Sequence, residues 1–200
     1  MKIDFRKFIL IAFMISGMTA LIYEIVWARP LQLIFGSTIY AVSTILTTFF
    51  VGFSLGSYAF RNLADKTKNP MRIFAFLELG IGIYGFLILV IFKILPNSQI
   101  LFLNFLMLFF VLIIPSSLFG ATWPIMNKAY IHLESVGKDA GKLYSANSFG
   151  SFIGTLIAGF LLIPLLGITK TGIFAASLNI LVSLMLFAYI RKKKGGKNES

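Results

Sequence analysis

Long apolar stretches separated by short polar segments make up the chain, and this pattern predicts its elements. Each stretch is near or above the roughly 20 residues that an α-helix needs to cross about 30 Å of hydrocarbon. The stretches are continuous blocks rather than short amphipathic ones, which favours membrane spans over the helices of a soluble domain. We therefore predict an all-α integral membrane protein with six transmembrane helices and a basic tail: about residues 8–28, 38–60, 73–95, 99–126, 146–166 and 171–190, then 191–200.

The composition supports a membrane protein and narrows the chemistry. The 200 residues are 58% hydrophobic and 12% charged, and a soluble domain of this length needs more charge to cover its surface. There is no cysteine, which excludes disulfides and thiol chemistry. The one histidine, His132, lies in a polar loop without metal-ligand spacing and is interpreted as a solvated side chain. We expect no metal, no cofactor and no catalytic residue in this chain.

The net charge of +11 raises the question of nucleic-acid binding, but the distribution of the charges argues against it. If the amino terminus is cytoplasmic, only Arg29, Lys93 and Lys170 of the 18 basic residues fall on the far side. This is the positive-inside bias of membrane proteins. It predicts a multi-pass protein of the cell (inner) membrane with both termini in the cytoplasm, and a basic tail that contacts anionic headgroups.

Prolines and glycines predict where the helices end. Arg29-Pro30 and Phe35-Gly36-Ser37 are expected to bound the first outer loop. Pro115 and Pro124 lie inside the fourth span, which is therefore expected to kink or end early. The carbonyls that these prolines free need a partner in lipid, and the candidates nearby in sequence are Ser116, Ser117 and Thr122.

Two glycine pairs predict close helix packing. Gly52 and Gly56 lie four residues apart in the second span, as do Gly150 and Gly154 in the fifth. Ordinary helix packing explains both pairs, since small residues let backbones approach. The alternative is an internal repeat, because spans two and five occupy matching places in two three-helix units. Either pair also offers a face for self-association.

The second loop resembles the signature between helices two and three of major facilitator transporters. It reads Gly56-Ser57-Tyr58-Ala59-Phe60-Arg61-Asn62-Leu63-Ala64-Asp65, followed by basic residues and Arg72. The resemblance implies that Asp65, Arg61 and Arg72 tie helix ends together and gate a rocking motion. The alternative is a loop that is basic only to set topology. Asn69-Pro70 departs from the family, which has a glycine–arginine turn there.

The order of motifs along nearly the whole chain resembles the membrane module of fused membrane-domain spermidine synthases. That resemblance implies a facilitator-like half built from two three-helix repeats. The aminopropyltransferase of such fusions needs a Rossmann-like domain with a glycine-rich loop, which this sequence lacks. We expect no catalysis by this chain alone. The motifs are Leu21-Ile22-Tyr23-Glu24-Ile25-Val26-Trp27, Gly52-Phe53-Ser54-Leu55-Gly56, Leu63-Ala64-Asp65, Gly120-Ala121-Thr122-Trp123-Pro124, Ser145-Ala146-Asn147-Ser148-Phe149-Gly150 and Pro164-Leu165-Leu166-Gly167.

Glutamates inside apolar stretches are the candidate functional residues, because an intramembrane carboxylate usually faces a bundle interior or a wet cavity. Glu24 shares a helix face with Gly17, Ala20 and Ala28, and Ile15, Ile22 and Val26 lie opposite, towards lipid. Glu78 repeats this design in the third span. Its face carries Ala75, Gly82 and Gly85, with Phe76, Ile83 and Leu87 opposite.

Three interpretations of Glu24 remain open from the sequence. It is a structural anchor paired with Arg29 or with hydroxyl groups, a ligand for a cationic solute or proton, or part of a subunit interface. For a polycation, Glu24 and Glu78 are suitable ligands, and aromatic rings add cation–π contacts or serve as interfacial anchors. The expected substrate-binding set is Glu24, Glu78, Tyr23, Trp27, Tyr40, Asn104 and Asn147.

The leading functional hypothesis is a membrane module of the spermidine synthase-like family that binds or transports a small cationic solute such as a polyamine. Six helices rarely enclose a path, so we expect a homo-oligomer or a second membrane or cytosolic partner chain. The alternative is a non-transporting scaffold that anchors a separate cytosolic aminopropyltransferase. The lipid bilayer is a partner under either hypothesis, and nucleic acid under neither.

Overall fold

A computed structural model describes residues 5–95 and 98–195, and these ranges are helical apart from short connections. A 3₁₀ turn, Leu133–Ser135, precedes the fifth helix, and a π-helical turn, Ala158–Leu162, follows it. The helices are α1 Phe5–Phe35, α2 Thr38–Lys66, α3 Pro70–Ile94, α4 Leu101–Tyr130, α5 Val136–Ile157 and α6 Ile163–Gly195.

Within the described residues, five helical stretches are long and apolar enough to cross a membrane. Four of them are α1 to α4. The fifth, Leu133–Lys192, combines α5 and α6. Its backbone is interrupted at Gly167, whose φ of 79° and ψ of 169° are not helical. The described residues are therefore all-helical, and their long apolar stretches are compatible with a membrane protein.

The first loop is shorter than predicted. α1 continues through Pro30 to Phe35, and the connection to α2 is Gly36–Ser37, with Gly36 at a φ of 64° that favours glycine. Pro30 removes one backbone donor, but continuing the helix keeps Leu31 fully buried in the apolar core. The expectation that Arg29-Pro30 begins the loop was wrong because tertiary packing outweighs the loss of one hydrogen bond.

The fourth helix runs through both of its prolines without ending early, which leaves a kink as the remaining form of the prediction. Pro115 frees the carbonyl of Val111, which accepts a hydrogen bond from the Tyr84 hydroxyl of α3 at 2.7 Å. Pro124 frees the carbonyl of Gly120, which accepts one from the Ser57 hydroxyl of α2 at 2.8 Å. Hydroxyls of neighbouring helices thus satisfy both carbonyls.

The hydroxyl groups that the sequence suggested as donors to these two carbonyls make other hydrogen bonds. Ser116 donates to the Leu112 carbonyl at 2.8 Å, and Thr122 donates to the Phe119 carbonyl at 2.7 Å. Both bonds lie within α4, because a Ser or Thr hydroxyl reaches back three or four residues along its own helix.

Glycines let three pairs of helices pack closely. A Cβ at Gly56 would lie closer than 3.0 Å to the α4 backbone, and one at Gly150 closer than 3.0 Å to the α1 backbone. Gly52 and Gly154 make similar approaches, and Gly82 of α3 packs on α6. These glycine faces are filled by the chain's own helices, so a partner chain has to use a different surface.

The buried apolar residues form two clusters, one towards each end of the bundle. The cluster at the end where α1 begins contains Phe13, Phe74 and Leu143. The cluster at the opposite end contains Tyr23 and Trp27. Buried polar residues of three helices lie between the two clusters along the sequence of each helix. They are Ser16 and Thr19 of α1, Glu78 of α3, and Asn179 of α6.

Candidate functional site

Glu78 is the centre of a buried polar layer. Its side chain is fully buried, and its Oε2 accepts a hydrogen bond from Asn179 Nδ2 at 2.7 Å. The same amide nitrogen donates to Thr19 Oγ1 at 2.9 Å, and Ser16 lies beside the carboxylate. The layer therefore joins α1, α3 and α6 through one carboxylate.

The helix packing explains why these groups meet. Gly82 lies one turn beyond Glu78 and lets α6 approach at Ala176 and Ile180. One turn before Glu78, the Ala75 carbonyl accepts a hydrogen bond from Ser183 at 2.7 Å. As the sequence pattern predicts, Ala75, Gly82 and Gly85 are buried with Glu78, whereas Phe76, Ile83 and Leu87 are exposed on the opposite face.

Four buried polar atoms have no hydrogen-bond partner among the described residues. They are the acceptors Glu78 Oε1 and Asn179 Oδ1, and the donors Tyr23 Oη and Trp27 Nε1. A buried carboxylate is usually paired or hydrogen-bonded through both oxygens. Within the described part of the chain, Glu78 makes no ion pair. In this geometry the carboxylate and the amide each have one oxygen without a hydrogen bond, and the Ser16 and Tyr23 hydroxyls lie near the carboxylate. Acceptors of this kind suit a bound cation or proton.

Tyr23 and Trp27 lie in the interior rather than at a membrane interface. Both are almost fully buried, and their rings stack with centroids 5.4 Å apart. The Tyr23 hydroxyl fits against Gly85, where a Cβ would approach it closer than 3.0 Å. It is also near enough to Glu78 for the two groups to interact electrostatically. Tyr23 therefore links the polar layer to an aromatic pair in the neighbouring apolar cluster.

The free space next to the layer is small. A crevice of about 40 Å³ is bordered by Ser16 and by residues of α2, α4 and α5, including Asn147 and Ser151. That volume accommodates one or a few waters, whereas sites for organic ligands are typically about 300 Å³ or more. The structure therefore shows a closed arrangement, and the helices have to separate before an organic solute reaches Glu78.

Glu24 lies in a different environment from Glu78. Its side chain is half-buried and makes no hydrogen bond or ion pair with another described residue. Arg29, its expected partner, donates instead to Gln32 at 3.2 Å. The predicted lipid-facing side of this helix was wrong, because Ile22 and Val26 are 1% exposed. α1 packs against helices on several sides, so a one-faced pattern does not describe it.

The three remaining candidates have contacts of other kinds. Tyr40 is about half exposed and packs near Phe35. Asn104 holds the start of α4, where it accepts from the Ser98 amide and donates to the Ser98 carbonyl. Asn147 donates to the Phe13 carbonyl at 3.2 Å, which joins α5 to α1. Asn104 and Asn147 thus have structural hydrogen bonds.

The loop motif is not joined by ion pairs in this arrangement. Arg61 donates to the Tyr58 carbonyl, and its guanidinium lies 3.4 Å from the centroid of the Tyr58 ring. Arg72 lies over Phe76, at 5.8 Å. Asp65 is exposed and forms no ion pair with another described residue. The contacts of Asp65 with Arg61 and Arg72 that the loop resemblance implies would require a different arrangement of the helices.

Sequence reasoning missed an ion pair at the end of the bundle where α1 begins. Asp139, 1% exposed at the start of α5, binds the guanidinium of Arg6, which also lies over the Tyr130 ring. Asp139 precedes the apolar stretch 146–166. Burial by itself raises the pKa of Asp139, but hydrogen bonds from Ser135, His132 and Arg6 outweigh that effect and lower it to about 2. His132 is exposed, as expected, and it also contacts this carboxylate.

Comparison of the chain with protein-family models, curated proteins and solved structures gives no match. The family resemblance of the motifs therefore stays a prediction. The functional argument depends on the geometry of the buried layer.

Proposed function

We propose that the chain is a six-span, facilitator-like membrane half, with both termini in the cytoplasm, that binds and moves a small cationic solute at Glu78. The observation that carries the proposal is a fully buried carboxylate, in a polar layer between two apolar clusters, with a free oxygen and no cationic partner in the described chain. Polyamines are the first candidate solutes.

The direction of the chain supports six spans. α5 runs parallel to α1, since Gly150 packs on Met14 and Gly154 on Met18. α6 runs antiparallel to α1. Tyr189 stacks on the ring of Phe5 near the start of α1, and Asn179 reaches Thr19 further along. The chain therefore reverses direction around Gly167, and the last helical stretch supplies two crossings.

A repeated contact supports two three-helix units. Ser57 of α2 donates to the Gly120 carbonyl of α4, and Ser151 of α5 donates to the Gly17 carbonyl of α1. Gly56, which precedes Ser57, packs on the Ser117 carbonyl, three residues before Gly120. In the same way, Gly150, which precedes Ser151, packs on the Met14 carbonyl, three residues before Gly17. α2 thus corresponds to α5, and α4 to α1, in the pattern of an inverted repeat.

The chemistry of the layer favours an amine over an anion or a neutral solute. A protonated amine donates several hydrogen bonds, and Glu78 Oε1 and Asn179 Oδ1 are buried acceptors without donors. With a net charge of +11, the protein as a whole repels polycations, so any binding has to come from a local site.

A thermal-shift titration with spermidine in mild detergent tests this function. Wild type should melt at higher temperature as spermidine is added. Glu78→Gln keeps the shape but removes the charge, and its apparent affinity should fall at least about tenfold. Glu134→Gln is the matched control, because Glu134 is an exposed carboxylate in the 3₁₀ turn and should leave the response unchanged.

The outcomes separate the alternatives. A response lost in Glu24→Gln but kept in Glu78→Gln would move the site to Glu24. A wild-type protein that does not respond to spermidine, putrescine or a simple monoamine would remove solute binding. It would leave the membrane scaffold for a separate enzyme as the surviving hypothesis.

A further inference from the structure

A second site lies at the end of the bundle where α1 begins, far from the polar layer. A cleft of about 400 Å³ opens there between the first turn of α1, the α2–α3 connection, the end of α4 and the end of α6. Its size is within the range typical of small-molecule sites. None of the predicted site residues except Arg72 lines it.

The lining of this cleft is both apolar and cationic. Phe5, Met71, Tyr189 and Ile190 contribute an apolar and aromatic surface, and Tyr189 stacks on Phe5 with ring centroids 5.4 Å apart. The cations of the lining are Lys68, Arg72 and Lys128, and none of its described residues is acidic. All three side chains are exposed, and none forms an ion pair with another described residue.

We propose that this cleft binds an anionic phospholipid, with its phosphate at Lys68, Arg72 and Lys128 and an acyl chain along the apolar lining. Charge complementarity favours a phosphate group, and the aromatic surface favours a ligand with a hydrocarbon part over a soluble ion. Basic pockets between helices at the cytoplasmic surface are known to hold anionic headgroups. The proposal depends on the membrane topology proposed above, which puts this end at the cytoplasmic leaflet, but not on amine binding.

The surroundings of the cleft fit a lipid at the membrane surface. Arg191 and Lys192 follow directly after Tyr189 and Ile190 and are exposed. They extend the positive surface beyond the cleft itself, where neighbouring headgroups would lie. The lining residues come from four separate segments. A bound lipid would therefore connect the start of α1 and the ends of α4 and α6 to the start of α3.

The test compares phosphatidylglycerol with phosphatidylcholine of the same acyl chains, titrated into the full chain in detergent while the melting temperature is followed. Phosphatidylglycerol should stabilise the wild type at lower concentration. The double variant Arg72→Gln/Lys128→Gln should bind it about 30-fold more weakly, since each basic group near an anionic surface contributes roughly fivefold. Its melting temperature in phosphatidylcholine should equal that of wild type.

The matched control is Lys138→Gln/Lys142→Gln, which removes the same charge from exposed positions at the same end of the bundle, outside the cleft. It should keep the wild-type affinity for phosphatidylglycerol. Equal losses in both double variants would show diffuse charge attraction and overturn the site. Inorganic phosphate that stabilises as well as the lipid would replace the lipid with a soluble phosphate compound. Spermidine is absent and Glu78 is intact in every protein compared, so this result is independent of the spermidine titration.

Discussion

Gly150 of α5 lies against the backbone of α1, and replacing it with alanine should destabilise the bundle. The added Cβ would lie 2.7 Å from the Met14 carbonyl carbon, and closer still to its oxygen, whereas ordinary contact begins at 3.4 Å. The atoms it meets are backbone, which cannot rotate away as a side chain does. The helices would have to separate by at least about 0.7 Å.

The size of the effect follows from this displacement. Overpacking of a well-packed interior typically costs about 1–3 kcal/mol. Separation of the helices also weakens the hydrogen bond from Ser151 to the Gly17 carbonyl, now 3.1 Å. Alanine recovers about 0.5–1 kcal/mol of helix propensity over glycine. A second Gly→Ala substitution, with the same change in helix propensity but no clash, isolates the destabilisation caused by overpacking.

Gly80→Ala provides that control within the membrane-spanning part of α3. Its Cβ would meet only the end of the Leu118 side chain, at 3.4 Å. The free energy of unfolding of each variant can be measured by titrating dodecyl sulfate into mixed micelles and following helical circular dichroism. We expect Gly150→Ala to be about 1–3 kcal/mol less stable than Gly80→Ala. If the two variants unfold at the same detergent fraction, α1 and α5 are not in the contact described.

Further predictions concern α4, the topology and the loop motif. Tyr84→Phe and Ser57→Ala should each lower the free energy of unfolding by about 1–3 kcal/mol, because each leaves a carbonyl freed by a proline without a donor; an unchanged unfolding curve for either would contradict this account. A reporter fused after residue 200 should be active in the cytoplasm, and activity in the periplasm would contradict six spans. Asp65→Ala should leave expression and melting temperature unchanged but abolish uptake or export of a cationic solute, and undiminished transport would refute the role carried over from the loop resemblance.

The sequence by itself predicted the membrane class and the approximate positions of the helices. Hydrophobic length is a local property, because each helix satisfies its own backbone and needs only enough apolar residues to span the lipid. The buried face of Glu78 was also readable, since small residues recur with it at helical spacing and large apolar residues lie opposite. For a helix at the edge of the bundle, one side faces neighbours and the other faces lipid, so periodicity is informative.

Tertiary structure decided what periodicity does not contain. α1 is surrounded by helices, so Ile22 and Val26 are buried although the pattern places them opposite the small residues. The donors that satisfy the carbonyls freed by Pro115 and Pro124 are Tyr84 and Ser57, on other helices, and a continuous α4 depends on them.

The candidate site shows most clearly that a helix periodicity does not reveal contacts between helices. Glu78 was identified from sequence, but its partner Asn179 is 101 positions away. Their hydrogen bond exists because Gly82 lets α6 approach α3 and because the chain reverses direction around Gly167. A sequence pattern records which residues share a helix face. Which faces meet, and at what height, is set by the packing of the whole bundle.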